Sequence, residues 1–238
     1  VTGGGSGLGK AIAHRLASEG ATVYIFDHDE SVMIATVTEF QKEGLLVNSH
    51  SVDVTAEKSV QKQITAVYDQ HQRLDVMVNC AGIIGPHGKN ITEIDTAGFD
   101  TTINVNLRGS FLMTKYALRE MMKKNYGRVL LIASIAGKEG NAGMCAYSTS
   151  KSAVIGLVKT VGKEFAESGI TINGLAPAVI RTDMVDKMED DQVTYMTDKI
   201  PMKRCGTLEE VASLASWIVS QEASFNTGFT FDLSGGRA

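Results

Sequence analysis

Glycine fills five of the seven positions 3–9, between a short apolar stub and a helix-like stretch at residues 10–19. Glycine permits tight turns and removes the side chains that would hold a ligand away from the backbone. A helix that starts just after such a turn aims unpaired N–H groups and the positive end of its dipole at one spot. That spot suits phosphate, so the run predicts a partner carrying phosphate or pyrophosphate. A flexible glycine-rich loop with no ligand is the competing reading of the run alone.

Two phosphate-loop templates fail in detail. The spacing G-x-x-x-x-G-K runs from Gly4 to Lys10, but Ala11 stands where the magnesium-binding Ser or Thr belongs. The spacing G-x-G-x-x-G from Gly5 and Gly7 would need glycine at position 10, which is Lys10. What remains is G-x-x-x-G-x-G through Gly3, Gly7 and Gly9. The chain beyond the loop decides between readings. Residues 21–26 are apolar and β-rich, as a strand buried on both faces should be, and they end at Asp27, 18 residues after Gly9. Dinucleotide sites place an acid about 20 residues past the glycines to grip the ribose hydroxyls. Gly3, Gly5, Ser6, Gly7, Leu8 and Gly9 are therefore the expected phosphate cradle, with Asp27 and His28 at the ribose. A carboxylate at Asp27 repels a 2′-phosphate, and no arginine stands nearby to receive one. The expected cofactor is NAD rather than NADP.

The strand–helix alternation continues. Residues 46–52, 74–78, 128–133, 170–176 and 229–233 read as further strands, and residues 30–44, 56–71, 99–124, 148–167 and 207–221 as helices. Such alternation predicts an α/β fold with a doubly wound, mostly parallel sheet, about seven strands, and helices on both faces. Ligands on such sheets sit at the carboxyl ends of strands, where Asp27, Asp53, Asn79 and Ser134 all fall.

Tyr147 and Lys151 stand four residues apart at the start of a helical run, so both share one helix face. A nearby ammonium favours phenolate and should lower the tyrosine pKa. A tyrosine brought toward neutrality exchanges a proton with an alcohol or ketone oxygen. Ser134, thirteen residues earlier at a strand end, is placed to donate a hydrogen bond to that same oxygen. A tyrosine and a lysine at this spacing are commonly a surface pair; the upstream dinucleotide loop and Ser134 favour the chemical reading.

These motifs together resemble the short-chain dehydrogenase/reductase family, single-domain type, over nearly the whole chain. They comprise Thr2-Gly3-x-x-x-Gly7-x-Gly9, Asp53-Val54, Asn79-x-Ala81-Gly82, Asn106, Ser134 and Tyr147-x-x-x-Lys151. The resemblance implies a Rossmann fold with a lid near residues 182–205. It implies Tyr147 as general acid/base, Ser134 as substrate-orienting donor and Lys151 on the nicotinamide ribose. Asn106 would anchor a proton relay. Asp53 and Val54 would meet the adenine, and Asn79, Ala81 and Gly82 would line the cofactor. Pro177, Val179, Ile180 and Thr182 resemble the segment at the nicotinamide carboxamide. Cys80 and Ala178 depart from the usual Asn and Gly. Most of a first strand is also missing, so native residues are expected before Val1, and a targeting peptide there stays open. The family's helical contacts imply a homotetramer.

Composition narrows the partners. A net charge of −4 without a basic block argues against nucleic acid, and no apolar run of eighteen residues suggests a membrane span. Three cysteines, Cys80, Cys145 and Cys205, and five scattered histidines lack metal spacing. Reduced thiols in the cytoplasm and no metal are expected. Met184, Met188, Met196 and Met202 fall in the lid stretch; Lys138, Arg181 and Arg204 stand at rim positions able to hold a carboxylate or phosphate of a substrate, with surface solvation the favoured reading of each alone. The segments around residues 135–141 and 177–182 look most like sugar-acid dehydrogenases, and next like 3-oxoacyl-carrier-protein reductases. The leading reading is an NAD(H)-dependent oxidoreductase interconverting a secondary alcohol and a ketone. The alternatives are the 3-oxoacyl reductase and, from another class, a catalytically silent NAD(H)-sensing protein. A P-loop NTPase is a distant fourth.

Overall fold

The computed structural model describes residues 1–182 and 185–237. Six strands form: β1 (Val23–Asp27), β2 (Val47–Ser51), β3 (Val76–Asn79), β4 (Gly127–Ile132), β5 (Ile170–Pro177) and β6 (Thr230–Leu233). β1 pairs with β2, and β3, β4, β5 and β6 pair in that order, every pair parallel. Thr2 joins the two groups, bridging Phe26 on one side and Asn79 on the other in parallel fashion. The Phe26 N–H donates to the Val1 carbonyl at 2.8 Å, and the Thr2 N–H to the Val78 carbonyl at 2.9 Å. The stub at residues 1–2 thus holds the central position of the sheet, so six strands and one bridge stand where about seven strands were expected.

Both sheet faces are covered. Along β4, Val129 and Leu131 enter one core with Leu112 and Val154, while Leu130 and Ile132 enter the other with Ile12 and Val211. The two-residue period of the strand sends neighbours to opposite faces. The first core is closed by α3 (Glu57–His71), α5 (Gly109–Met121) and α7 (Cys145–Glu164), the second by α1 (Gly7–Ser18) and α9 (Leu208–Ile218). A third, built by Ile25, Met33 and Phe40, seats α2 (Glu30–Lys42) on β1. Local sequence sets the helix starts. Asp29 accepts from the Ser31 and Val32 N–H groups ahead of α2, and Thr207 with Glu210 forms a capping box on α9.

The stretch 99–124, expected as one helix, is not continuous. It divides into α4 (Thr96–Ile103), a π-helical turn (Asn104–Arg108) and α5. Two short helices stand outside the expected set, α6 (Ala136–Glu139) and α8 (Asp190–Asp198). Among the methionines of that region, Met188 and Met196 are half-buried and Met202 is exposed. Met184 lies outside the described residues. No described helix is long and apolar enough to cross a membrane.

Candidate active site

The glycine turn is built by close approach. Gly3 and Gly7 have φ of +59° and +50°, and a Cβ on Gly9 would collide with the Gly3 carbonyl. A Cβ on Gly7 would meet nothing within 4 Å, so the entrance to α1 faces open space. No acidic residue stands in the first turn of α1 to oppose an anion. The Gly5 N–H donates to Asp27 Oδ2 at 3.0 Å, and the Asp29 N–H donates to Oδ1 at 3.2 Å. The Asp27 carboxylate is thereby fixed against the loop.

A cleft of about 1730 Å³ starts at this turn. Gly3, Gly5, Ser6, Gly7, Leu8 and Gly9 line its floor, and Asp27, His28, Asp53 and Val54 line one end. Ala81, Gly82, Tyr147, Lys151 and Thr182 line the other. Asp53 closes its own turn by accepting from the Thr55 N–H and hydroxyl at 2.8 and 2.7 Å. At Gly82 a Cβ would stand 3.2 Å from Asn106 Oδ1 and 3.4 Å from Lys151 Nζ. An uncluttered floor, a helix start and an acid at the far strand end together fit a dinucleotide.

Tyr147 and Lys151 lie in the first two turns of α7. Lys151 is 5% exposed, and its Nζ donates to the Ile132 carbonyl at 2.7 Å. The same Nζ sits 5.8 Å from the centre of the Tyr147 ring. Burial lowers the Lys151 amine from 10.5 to about 8. Burial also pushes the Tyr147 phenol above its ordinary 10, and a hydrogen bond with Ser134 pulls it partly back. This corrects the expected direction for the phenol. Desolvation outweighs the hydrogen bond with Ser134. The Cys80 thiol beside them is pushed up to about 12 by burial, so it is neutral near pH 7.

Behind the cleft wall runs a buried chain of hydrogen bonds. Asn106, 1% exposed, accepts the Ile83 N–H at 2.8 Å and donates to the Ile83 carbonyl at 2.9 Å. It also donates to Ser150 Oγ at 2.9 Å, and Ser150 donates to the Tyr147 carbonyl at 2.7 Å. Asn79 accepts from Thr2 Oγ1 at 2.7 Å and donates to Ser110 Oγ at 3.0 Å, and Ser110 donates to the Asn106 carbonyl. The glycine turn, β3, the π-helical turn and α7 are tied together by these four polar side chains and Asn106. The sequence placed Asn106 in the site but missed Ser110 and Ser150. Both sit one turn from a motif residue on a helix face, which is the signal that would have found them.

Some expected contacts fall elsewhere. Asn79 is 2% exposed with its side chain spent inside the protein, so it positions the cleft rather than lining it. Pro177 and Ile180 are buried, with Ile180 packed in the second core and bridged to Gly206. Neither they nor Val179 line the cleft, whereas Thr182 does. The three rim cations are already paired: Lys138 with Asp232, Arg181 with Asp186, and Arg204 with Glu210 through two hydrogen bonds of 2.6 and 2.9 Å. Among the described residues, no group of three His, Cys, Asp or Glu side chains is placed to hold a metal.

Comparison with known proteins agrees with this geometry. A family model described as enoyl-(acyl carrier protein) reductase matches residues 3–237. A 2-dehydro-3-deoxy-L-rhamnonate dehydrogenase (NAD(+)) of Sphingomonas sp. (strain SKA58) is 38% identical, covering 100% of this chain and 93% of that protein. The 3-oxoacyl-(acyl-carrier-protein) reductase FabG of Aquifex aeolicus (strain VF5) is 34% identical, covering 99% and 95%. The solved structure of a short-chain type dehydrogenase/reductase from Mycobacterium ulcerans matches with a TM-score of 0.94 at 32% identity, covering 99% of this chain and 87% of that one. With likeness running the length of the chain and the dinucleotide cleft ending at Tyr147 and Lys151, this chain belongs to the short-chain dehydrogenase/reductase family, oxidoreductases of alcohol and ketone groups that use a nicotinamide cofactor.

Proposed function

We propose that this enzyme is an NAD(H)-dependent dehydrogenase that interconverts a secondary alcohol and a ketone on a sugar acid or related hydroxy compound. The observation that carries the reading is that Tyr147, hydrogen-bonded to Ser134 behind it, and Lys151 line the same cleft as Asp27. When bound, the nicotinamide supplies or accepts the hydride. Ser134 donates a hydrogen bond to the substrate oxygen and steadies charge developing there. Tyr147 Oη exchanges the proton with that oxygen. Lys151 holds the ribose and places positive charge beside the phenol. Asn106 anchors the relay that returns the proton to solvent. Asp27 takes the ribose hydroxyls and repels a 2′-phosphate, and the 38%-identical relative is named as an NAD(+) enzyme. One domain spans residues 1–238, with the stretch near 182–205 as its substrate cover. The working form is a cytoplasmic homotetramer, which light scattering of the purified protein tests.

A 3-oxoacyl-carrier-protein reductase is the second reading, and the 34% identity to the Aquifex aeolicus protein favours it about as well. The deciding experiment follows NADH and NADPH absorbance over a panel of sugar acids and acetoacetyl thioesters. Turnover of a sugar acid with NAD+ supports the first reading. Thioester reduction with NADPH supports the second and removes the first. Tyr147→Phe should still bind the dinucleotide and lose most turnover; retained turnover removes the assigned acid/base.

A further inference from the structure

The segment that follows β6 packs against α6 and against residues 200–202. Arg237 is the residue that anchors it, with a side chain only 11% exposed. Its Nε and Nη2 donate to Glu139 Oε2 at 2.9 and 2.7 Å, and Nη2 also donates to Asn141 Oδ1 at 3.1 Å. Glu139 ends α6, the short helix that begins two residues after Ser134. The Asn141 N–H donates to Ser148 Oγ at 3.1 Å, and Ser148 is the neighbour of Tyr147. Two more ties flank the anchor: the Lys138–Asp232 ion pair and a hydrogen bond from the Met202 N–H to the Gly235 carbonyl at 3.1 Å.

The geometry points to Arg237 as a positioning residue that clamps α6 against the start of α7 and so holds the Ser134 hydroxyl in register with the Tyr147 phenol. The physical case rests on three features. The planar guanidinium converges two N–H groups on Glu139 Oε2 while one of them also reaches Asn141 Oδ1, so the contact fixes direction as well as distance. The fork is largely shielded from water, which strengthens each charged hydrogen bond. And α6 is a single turn, too short to hold itself: its middle is seated on α7 at Gly137, whose carbonyl accepts the Ser152 hydroxyl, and its last residue, Glu139, is held by Arg237. Ser134 Oγ accepts the Ala136 N–H at 3.1 Å, so any swing of α6 is passed directly to that hydroxyl. Arg237 itself touches neither substrate nor cofactor in this scheme. The inference rests on the alcohol–ketone chemistry of the site and not on the choice between NADH and NADPH.

The test compares wild type with Arg237→Lys, Glu139→Gln and the charge-swapped pair Arg237→Glu with Glu139→Arg. Amide hydrogen exchange should quicken about tenfold or more across residues 134–148 in both single variants, while residues 3–27 keep the wild-type rate. The dissociation constant of NADH or NADPH, whichever wild type binds, should stay within about twofold. In whichever ketone pairing wild type turns over, kcat should fall about tenfold to a hundredfold with KM nearly unchanged, since a displacement near 1 Å is enough for such a loss. The charge-swapped pair should recover part of it. Unchanged exchange across residues 134–148 in Glu139→Gln, whose carboxylate is partly exposed and whose loss leaves the cores intact, overturns the proposal. Equal acceleration everywhere also overturns it, by assigning Arg237 to general stability. A wild type that prefers NADPH would sink the cofactor assignment and leave the role of Arg237 untouched.

Discussion

Lys151 reaches across from α7 to hydrogen-bond the carbonyl of Ile132, the last residue of β4, at 2.7 Å. The contact holds a cation inside the protein, 5% exposed, with its amine lowered to about 8. The unfolded chain keeps that proton up to about 10.5, so between pH 8 and 10.5 it binds more protons than the folded chain. Stability contributed at this site therefore rises with pH across that window, by about 3 kcal/mol. Below pH 8 the full penalty of the buried charge applies. The Cys80 thiol acts in the opposite sense, because its raised pKa favours the folded state less as pH rises above 9. The difference between wild type and Lys151→Met isolates the lysine. Wild type should gain on the variant from pH 8 to 10.5 in urea unfolding, and parallel profiles would contradict the buried charge.

Gly9→Ala tests the close approach at the loop. The new methyl would strike the Gly3 carbonyl, a backbone atom with no rotamer to move. Overpacking of this kind costs about 1–3 kcal/mol. The same shift would open the phosphate cradle, so NADH affinity should fall by about tenfold or more. Thermal unfolding and NADH fluorescence read the two effects separately.

The parts of this fold that were legible in the sequence are those set by short-range periodicity and by backbone demands. β1 and Asp27 could be read because a doubly buried strand must be apolar throughout and must end where a ligand waits. The glycine turn could be read because Gly9 has no substitute there. The break of the 99–124 helix could not, since Asn104, Val105 and Asn106 carry no proline or glycine to announce a π-helical turn. That turn is stabilised by distant partners, Ile83 and Ser150. The direction of the Tyr147 pKa was missed for a similar reason. Spacing shows that a lysine is near, but only packing shows how dry the pair is.

Asp27→Asn tests the cofactor assignment. The amide can still accept the Gly5 N–H but no longer repels a 2′-phosphate. The proposed preference for NADH over NADPH should narrow by about tenfold, or 1.4 kcal/mol. Steady-state kinetics with both dinucleotides measure it, and an unchanged ratio would move the origin of specificity away from Asp27.

Arg181 and Arg204 are engaged with Asp186 and Glu210 on the surface. Exposed pairs add little net stability, so Arg181→Ala and Arg204→Ala should fold normally. With each guanidinium engaged by a carboxylate rather than free for a substrate, neither variant should raise KM for an anionic substrate by more than about threefold. A large KM rise in either variant would return that arginine to the substrate.

Asn106→Ala addresses the buried polar chain. Removing the amide, itself 1% exposed, leaves the N–H and the carbonyl of the half-exposed Ile83 without their protein partner. A hydrogen bond of this kind contributes about 0.5–1.5 kcal/mol net, and the three that Asn106 makes to Ile83 and Ser150 are lost together, so the variant should lose about 2–4 kcal/mol in urea unfolding. Ser150 would also lose the donor that sets its hydroxyl, while keeping its own bond to the Tyr147 carbonyl. Ser150→Ala removes the link between Asn106 and α7 without exposing Ile83, so its stability cost should be the smaller of the two. If both variants bind NADH and lose turnover, while only Asn106→Ala is strongly destabilised, the chain from the π-helical turn to Tyr147 serves the chemistry. If Ser150→Ala keeps full turnover, the link is a packing contact and Asn106 acts alone.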